Sequence, residues 1–174
     1  MNETIKNILE RRSIRKYKPD PIKEEELELI LHAGIMAASG MNKQPVTLVA
    51  VTDKATRDEL SALNAKVMGR DMDPFYGAPN LIVTLYNPDV SPIAIYDATL
   101  AMGNMMNAAH SLDVDSCWVH RAKETFEMPE GKALLKKWGL PENLVGVGNL
   151  ILGYRDCEYP AAPPKRDDIV VYVK

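Results

Sequence analysis

The last twenty residues, RDCEYPAAPPKRDDIVVYVK, restrict the possible folds more than any other stretch of the chain. Prolines 160, 163 and 164 stiffen the backbone into an extended arm, because a proline ring fixes φ and removes an N–H donor. The arm then ends in IVVYV (169–173), β-branched and aromatic residues that suit a strand. A Pro-rich arm with a terminal apolar strand does not fold back tidily on its own domain. Adding IVVYV to a sheet edge of a second subunit would bury it. The residues read as an α+β protein, with a C-terminal strand exchanged with a partner subunit as one way to bury it.

The 174 residues suffice for one domain with its own core, and no linker or internal repeat divides them. The expectation is a single domain over 1–174, with 154–174 as a dimer-embracing arm. Residues 2–12 read as a short helix with Ile5, Ile8 and Leu9 on one side. After the break at PDP (19–21), Leu27, Ile30, Leu31, Gly34, Ile35 and Ala38 recur at helical spacing and predict one buried face. Further helices are expected at 54–69, 93–111 and 130–139, the last closed by Gly139. The helix over 93–111 presents Ala98, Ala101, Met102, Met105, Met106 and Ala109, small or flexible residues that let neighbours approach closely. That places it at the centre or in a subunit interface. Apolar runs at 46–51, 81–86, 116–120 and 144–154 read as strands of a mixed central sheet surrounded by helices.

Composition removes several classes of function. An apolar fraction of 46% and a charged fraction of 26% are those of a globular protein, and no apolar run approaches the ~20 residues of a bilayer span. The N-terminus MNETIKNILE lacks an apolar signal core, so a cytoplasmic location is expected. A net charge of −3 disfavours non-specific nucleic-acid binding. Cys117 and Cys157 match no metal spacing and read as reduced. His32, His110 and His120 are isolated, so no metal is expected. GVGNLI lacks the third glycine of a dinucleotide fingerprint and lies inside an apolar strand.

Three polar clusters remain. Residues 11–18 hold five cations (Arg11, Arg12, Arg15, Lys16, Lys18), Ser13 and no acid. Arg11 and Arg15 share a face at helical spacing, and guanidinium groups beside a hydroxyl suit a phosphate. A solvated basic helix end is the plainer alternative. In AASGMNKQP (37–45), Ser39, Asn42 and Gln44 offer uncharged donors and acceptors that suit a planar heterocycle, or else form a helix-ending loop with Gly40 as its left-handed cap. Lys165 and Arg166 add two cations in the arm.

The three clusters together resemble the nitroreductase family of FMN-dependent oxidoreductases. The resemblance spans almost the whole chain. It is carried by RRSIRKY, ASGMNKQP, FYGAPNLIV, SCWVHRAKETFE and ILGYRDCEYPAAPPKRDD, in the family's order and spacing. WVHRAKE is similar to the small single-domain bacterial and archaeal members. The resemblance implies an obligate homodimer with two FMN sites at its interface, each built from both chains. Arg11, Arg12 and Ser13 would grip the FMN phosphate, with Lys165 and Arg166 of the arm. Arg15 would face the pyrimidine edge of the ring. Ala38, Ser39 and Gly40 would come from the partner, while Asn42 and Gln44 line the ring site. The loop Trp118, Val119, His120 and Arg121 would pass the ring with backbone N–H groups near flavin N5 and O4.

The implied activity is two-electron transfer from NAD(P)H to a nitroaromatic, quinone or similar acceptor by a ping-pong hydride mechanism, with no catalytic side chain. The chain departs from the family pattern in places. LDVD (112–115) stands where relatives usually carry glycines, and Val46 replaces a bulky aromatic. Residues 61–76 are expected to roof the substrate pocket. The Asp-containing loop motivates an alternative, a flavin-binding storage or sensor protein with little turnover.

Overall fold

Apolar runs that do not alternate with polar residues mark the two inner strands, and the architecture explains why. The structure is a computed structural model describing residues 1–174. In chain order the elements are α1 (Glu3–Glu10), α2 (Glu24–Ile35), a 3-10 turn (Gly40–Asn42), β1 (Val46–Val51), α3 (Lys54–Met68), β2 (Asn80–Tyr86), α4 (Ala94–Ser111), β3 (Asp115–Val119), α5 (Ala122–Glu127), α6 (Pro129–Lys137) and β4 (Val145–Gly153). The sheet order is β1-β2-β4-β3, with every neighbouring pair antiparallel. The expected parallel component is confined to one edge, where Ser13 bridges Ser116 in parallel.

Each face of the sheet carries its own core. Leu81, Val83, Cys117 and Ile151 point to the side covered by α3, α5 and α6. Ile82, Leu150 and Leu152 point to the side covered by α2 and α4. With helices on both faces, β2 and β4 bury successive residues, so their runs are continuously apolar. Ile82 and Ile151 are both fully buried, and each such side chain contributes about 2 kcal/mol. α4 lies across the sheet as its small residues required, with Ala98, Ala101, Met102 and Met105 buried. α2 approaches α4 closely at Gly34, where a Cβ would stand 2.8 Å from Met105 Cγ.

Three boundaries differ from the sequence reading. α1 ends at Glu10 rather than 12, because Arg12 Nη1 donates to the carbonyls of Leu9, Glu10 and Arg11 at 2.8, 2.8 and 2.9 Å and closes the helix. α2 stops at Ile35, so Ile35 and Ala38 are exposed rather than part of the buried face. The six-residue α5 has too little length for a helical period to show.

The arm is fixed only at its root. Lys18 N–H donates to the Tyr154 carbonyl at 2.8 Å, and Asp156 N–H donates to the Lys16 carbonyl at 3.0 Å. The Tyr159 hydroxyl donates to the Glu10 carbonyl at 2.9 Å and accepts from Arg12 N–H at 3.0 Å. Beyond it the chain is exposed, and Ile169–Val173 forms no strand within one chain.

Candidate active site

Once α1 has ended, the cationic stretch runs extended along the edge of β3. Arg11 leaves helical geometry at ψ 132°, and Ile14 N–H donates to the Ser116 carbonyl at 3.1 Å. Arg11, Ser13 and Arg15 therefore fall on one side by the two-residue period of extended chain, not by the helical spacing that the sequence suggested. All three act on the Cys117 thiol: burial pushes it up, and Arg15, a hydrogen bond from Ser13 and Arg11 oppose that rise. Arg11 also acts on His110, whose pKa is lowered by burial first, then by Arg11 against Asp115.

Two buried nitrogens in this cluster, Arg11 Nη1 and Arg12 Nε, have no hydrogen-bond partner. A buried donor left unpaired costs about 1–3 kcal/mol, and more when charged. Residues 11–18 include no carboxylate of their own, and Asp156, which pairs with Lys16 at 3.2 Å, does not reach these two nitrogens. An external anion with several oxygens, such as a phosphate, fits it.

The second cluster surrounds the 3-10 turn. Gln44 N–H donates to Ser39 Oγ at 3.1 Å, and Gln44 Nε2 donates to Asn42 Oδ1 at 3.1 Å. The left-handed positions are Met41, Asn42 and Gln44, with φ of 52°, 54° and 49°, rather than Gly40. Gly40 serves close approach instead, since a Cβ there would stand 2.7 Å from Ile93 Cδ1. Its N–H donates to Asp97 Oδ1 at 3.2 Å, while Asp97 Oδ2 is buried without a partner. Ala38, Ser39, Gln44 and Asp97 line a cavity of about 140 Å³.

These two clusters sit at opposite ends of α4. Gly40 meets it at Asp97, whereas Tyr159, bonded to Arg12, stacks on His110 at 5.9 Å. Thirteen residues of helix separate those points by about 20 Å. Lys165 and Arg166 are exposed in the arm, Arg166 paired with Asp168 at 2.9 and 2.7 Å. One chain by itself thus brings Arg11, Ser13 and Arg15 to one side, with Arg12 turned back on the end of α1, but neither the 38–44 turn nor the arm cations.

The loop from Trp118 to Arg121 leaves β3 over β4. Trp118 lies against Gly148, where a Cβ would fall 2.2 Å from its indole nitrogen. Val119 pairs with Asn149, and Ala122 packs on Gly146. The His120 side chain is exposed, and Arg121 takes a left-handed φ of 75°. In the loop before β3, Asp113 takes a left-handed φ of 58°, so an aspartate holds the turn. Asp115 is 5% exposed and accepts from Arg155 Nη1 at 3.1 Å, tying β3 to the root of the arm.

The model of the Nitroreductase family matches residues 8–71 and 68–154. The chain belongs to the nitroreductase family. A putative NADH dehydrogenase/NAD(P)H nitroreductase of Archaeoglobus fulgidus is 33% identical over 88% of this chain and 86% of its own length. An NADPH-flavin oxidoreductase of Vibrio harveyi is 28% identical over 99% of this chain and 74% of its own. The crystal structure of a nitroreductase with bound FMN from Bacteroides fragilis superposes with a TM-score of 0.89 at 30% identity, covering 100% of both chains.

Within this nitroreductase chain, several residues near the site escaped the sequence reading. Asp97 and Cys117 sit among apolar neighbours, and nothing in their spacing separates them from core positions. Tyr159 sits in the arm, whose contacts were expected only with a partner. Residues 73–79 also carry an unforeseen clamp: Arg57 donates to Asp73 at 2.6 Å and to the Ala78 carbonyl at 2.9 Å. Ser61 Oγ and the N–H groups of Phe75 and Gly77 donate to the same carboxylate at 2.6, 2.9 and 2.7 Å. No helix is long and apolar enough to cross a membrane.

Proposed function

We propose that this nitroreductase is an FMN-dependent NAD(P)H oxidoreductase that reduces nitroaromatics, quinones or related acceptors. The observation that carries the reading is the pair of buried guanidinium nitrogens at Arg11 and Arg12 with no internal acceptor, beside Ser13 and Arg15. A phosphate monoester supplies the missing acceptors. The likeness to a solved nitroreductase with bound FMN at 30% identity supports FMN as its bearer.

When bound, FMN supplies a ring that accepts a hydride and passes it on. The chain's own residues bind and orient it. Arg11, Arg12 and Ser13 hold the phosphate, joined by Lys165 and Arg166 of the arm. Arg15 places a cation at the pyrimidine edge, where a charge-assisted contact favours an electron-rich ring by about 1.5–3 kcal/mol. Trp118, Val119, His120 and Arg121 pass the ring and offer backbone donors. Asn42 and Gln44 line the ring site. NAD(P)H and the acceptor use the same open face in turn, a ping-pong scheme, and no side chain need act as acid or base.

The site is shared between two subunits in this reading. About 20 Å of helix α4 separates the Gly40 turn from the Arg11 cluster within one chain, so Ala38, Ser39 and Gly40 come from the partner. Apolar side chains left open on α1 and α4, Ile5, Ile8, Leu9, Tyr96 and Leu100, are 47–68% exposed and form the matching interface. Ile169–Val173 then completes a sheet edge of the other subunit.

An absorption spectrum tests the reading. The purified protein should show a flavin spectrum that bleaches when NADH or NADPH is added without oxygen. A colourless protein that gains no flavin on incubation with FMN would overturn it.

A further inference from the structure

The 118–121 loop is tied to α3 through a side chain with no counterpart in the motifs. Asn64 is 1% exposed, and both ends of its carboxamide engage this loop. Nδ2 donates to the His120 carbonyl at 2.8 Å, and Oδ1 accepts from Arg121 Nε at 3.2 Å. Arg121 Nη2 lies 3.3 Å from Met68 Sδ on the same helix.

In a planar trans peptide the C=O and the following N–H point in opposite directions. Holding the His120 carbonyl against α3 therefore turns the Arg121 N–H away from α3. That N–H has no acceptor within the chain. The flanks of this peptide are fixed, Val119 by its pairing with Asn149 and Ala122 by its contact with Gly146. The His120–Arg121 plane is what remains free to rotate. Arg121 sits at φ 75°, a region that a residue with a Cβ occupies when its surroundings hold it there.

We propose that Asn64 is a positioning residue of the flavin site, pinning the His120–Arg121 peptide so that the Arg121 N–H faces the N5/O4 edge of the ring. This rests on the FMN reading above. Asn64 itself touches no ring atom and acts through the peptide. Its effect is on the balance between oxidised and reduced FMN, because N5 of the oxidised ring accepts from an N–H, whereas N5 of the two-electron-reduced ring carries its own hydrogen and cannot use that donor in the same way.

The test is the two-electron midpoint potential of bound FMN in wild type, Asn64→Leu and Asn64→Ala, with FMN affinity measured alongside. Asn64→Leu conserves volume but removes the donor. It should bind FMN within a few-fold of wild type. Its preference for reduced over oxidised FMN should rise about tenfold, a potential higher by about 30 mV. Asn64→Ala leaves room for a water to donate to the His120 carbonyl, so its shift should be smaller. A role in packing alone gives the reverse order, since Ala leaves the larger void. An unchanged potential in Asn64→Leu, a larger shift in Asn64→Ala, or loss of FMN from both variants would each overturn the positioning role while leaving the FMN reading intact. A wild type that binds no FMN would overturn both.

Discussion

Arg57 and Arg11 are both arginines held against the body of the protein, yet their surroundings are opposite. Arg57 reaches Asp73, Asp58 and the Ala78 carbonyl, so its charge is answered from within. The Asp73 carboxylate accepts from four residues. Burial alone would push its pKa up, but hydrogen bonds from Arg57, Ser61, Gly77 and Phe75 hold it below the usual carboxylate range. Arg11 has Nη1 buried with no partner, in a stretch of sequence that also holds Arg12, Arg15, Lys16 and Lys18. An arginine whose acceptors are internal builds structure. One whose acceptors are missing has a donor to offer to something from outside, and in the proposed function that is the FMN phosphate.

The contrast can be broken at either end. The largest effect is expected from removing residues after Tyr159, which deletes Lys165, Arg166 and the terminal strand. Flavin and dimer should both be lost, as read by absorbance and light scattering; a stable flavin-bearing dimer would count against the exchanged arm. Next comes the pair Arg11→Ala and Arg15→Ala. FMN affinity should fall by about 3 kcal/mol, roughly 100-fold, with an unchanged fold by circular dichroism. Arg57→Met should do the converse. Stripping Asp73 of its cation should cost about 2 kcal/mol of stability in urea unfolding with little effect on FMN affinity.

Smaller effects sharpen the same contrast. Because Asp73 is depressed in the folded state, its contribution is complete above the ordinary carboxylate range and is lost as the pH falls through its folded value. Asp73→Asn should therefore show a flatter loss of stability than wild type between about pH 4 and pH 2. Lys66→Ala removes an exposed pair with Glu130 at 2.6 Å and should leave the thermal midpoint unchanged within error.

Much of the fold was legible where a long period or a continuous apolar run had time to declare itself. The small-residue face of α4 and the buried runs of β2 and β4 are cases. The α5 helix was not, since six residues carry less than two turns. The site was legible as chemistry rather than as geometry. RRSIR suggested an anion site at helical spacing, but the stretch is extended and follows the edge of β3, which only the Ser13–Ser116 bridge reveals. Gly40 invited a left-handed role that Met41, Asn42 and Gln44 fill instead, with φ of 52°, 54° and 49°. Asn64 and Asp97 were invisible because their partners lie 56 and 57 residues away along the chain.

The most direct measurement is the affinity of the apoprotein for FMN set against riboflavin, which differs from it by the phosphate alone. Wild type should prefer FMN by roughly 100-fold, and Arg11→Ala should shrink that preference towards unity. Equal affinities in the wild type would contradict the idea that the unpaired guanidinium nitrogens of Arg11 and Arg12 serve to hold a phosphate.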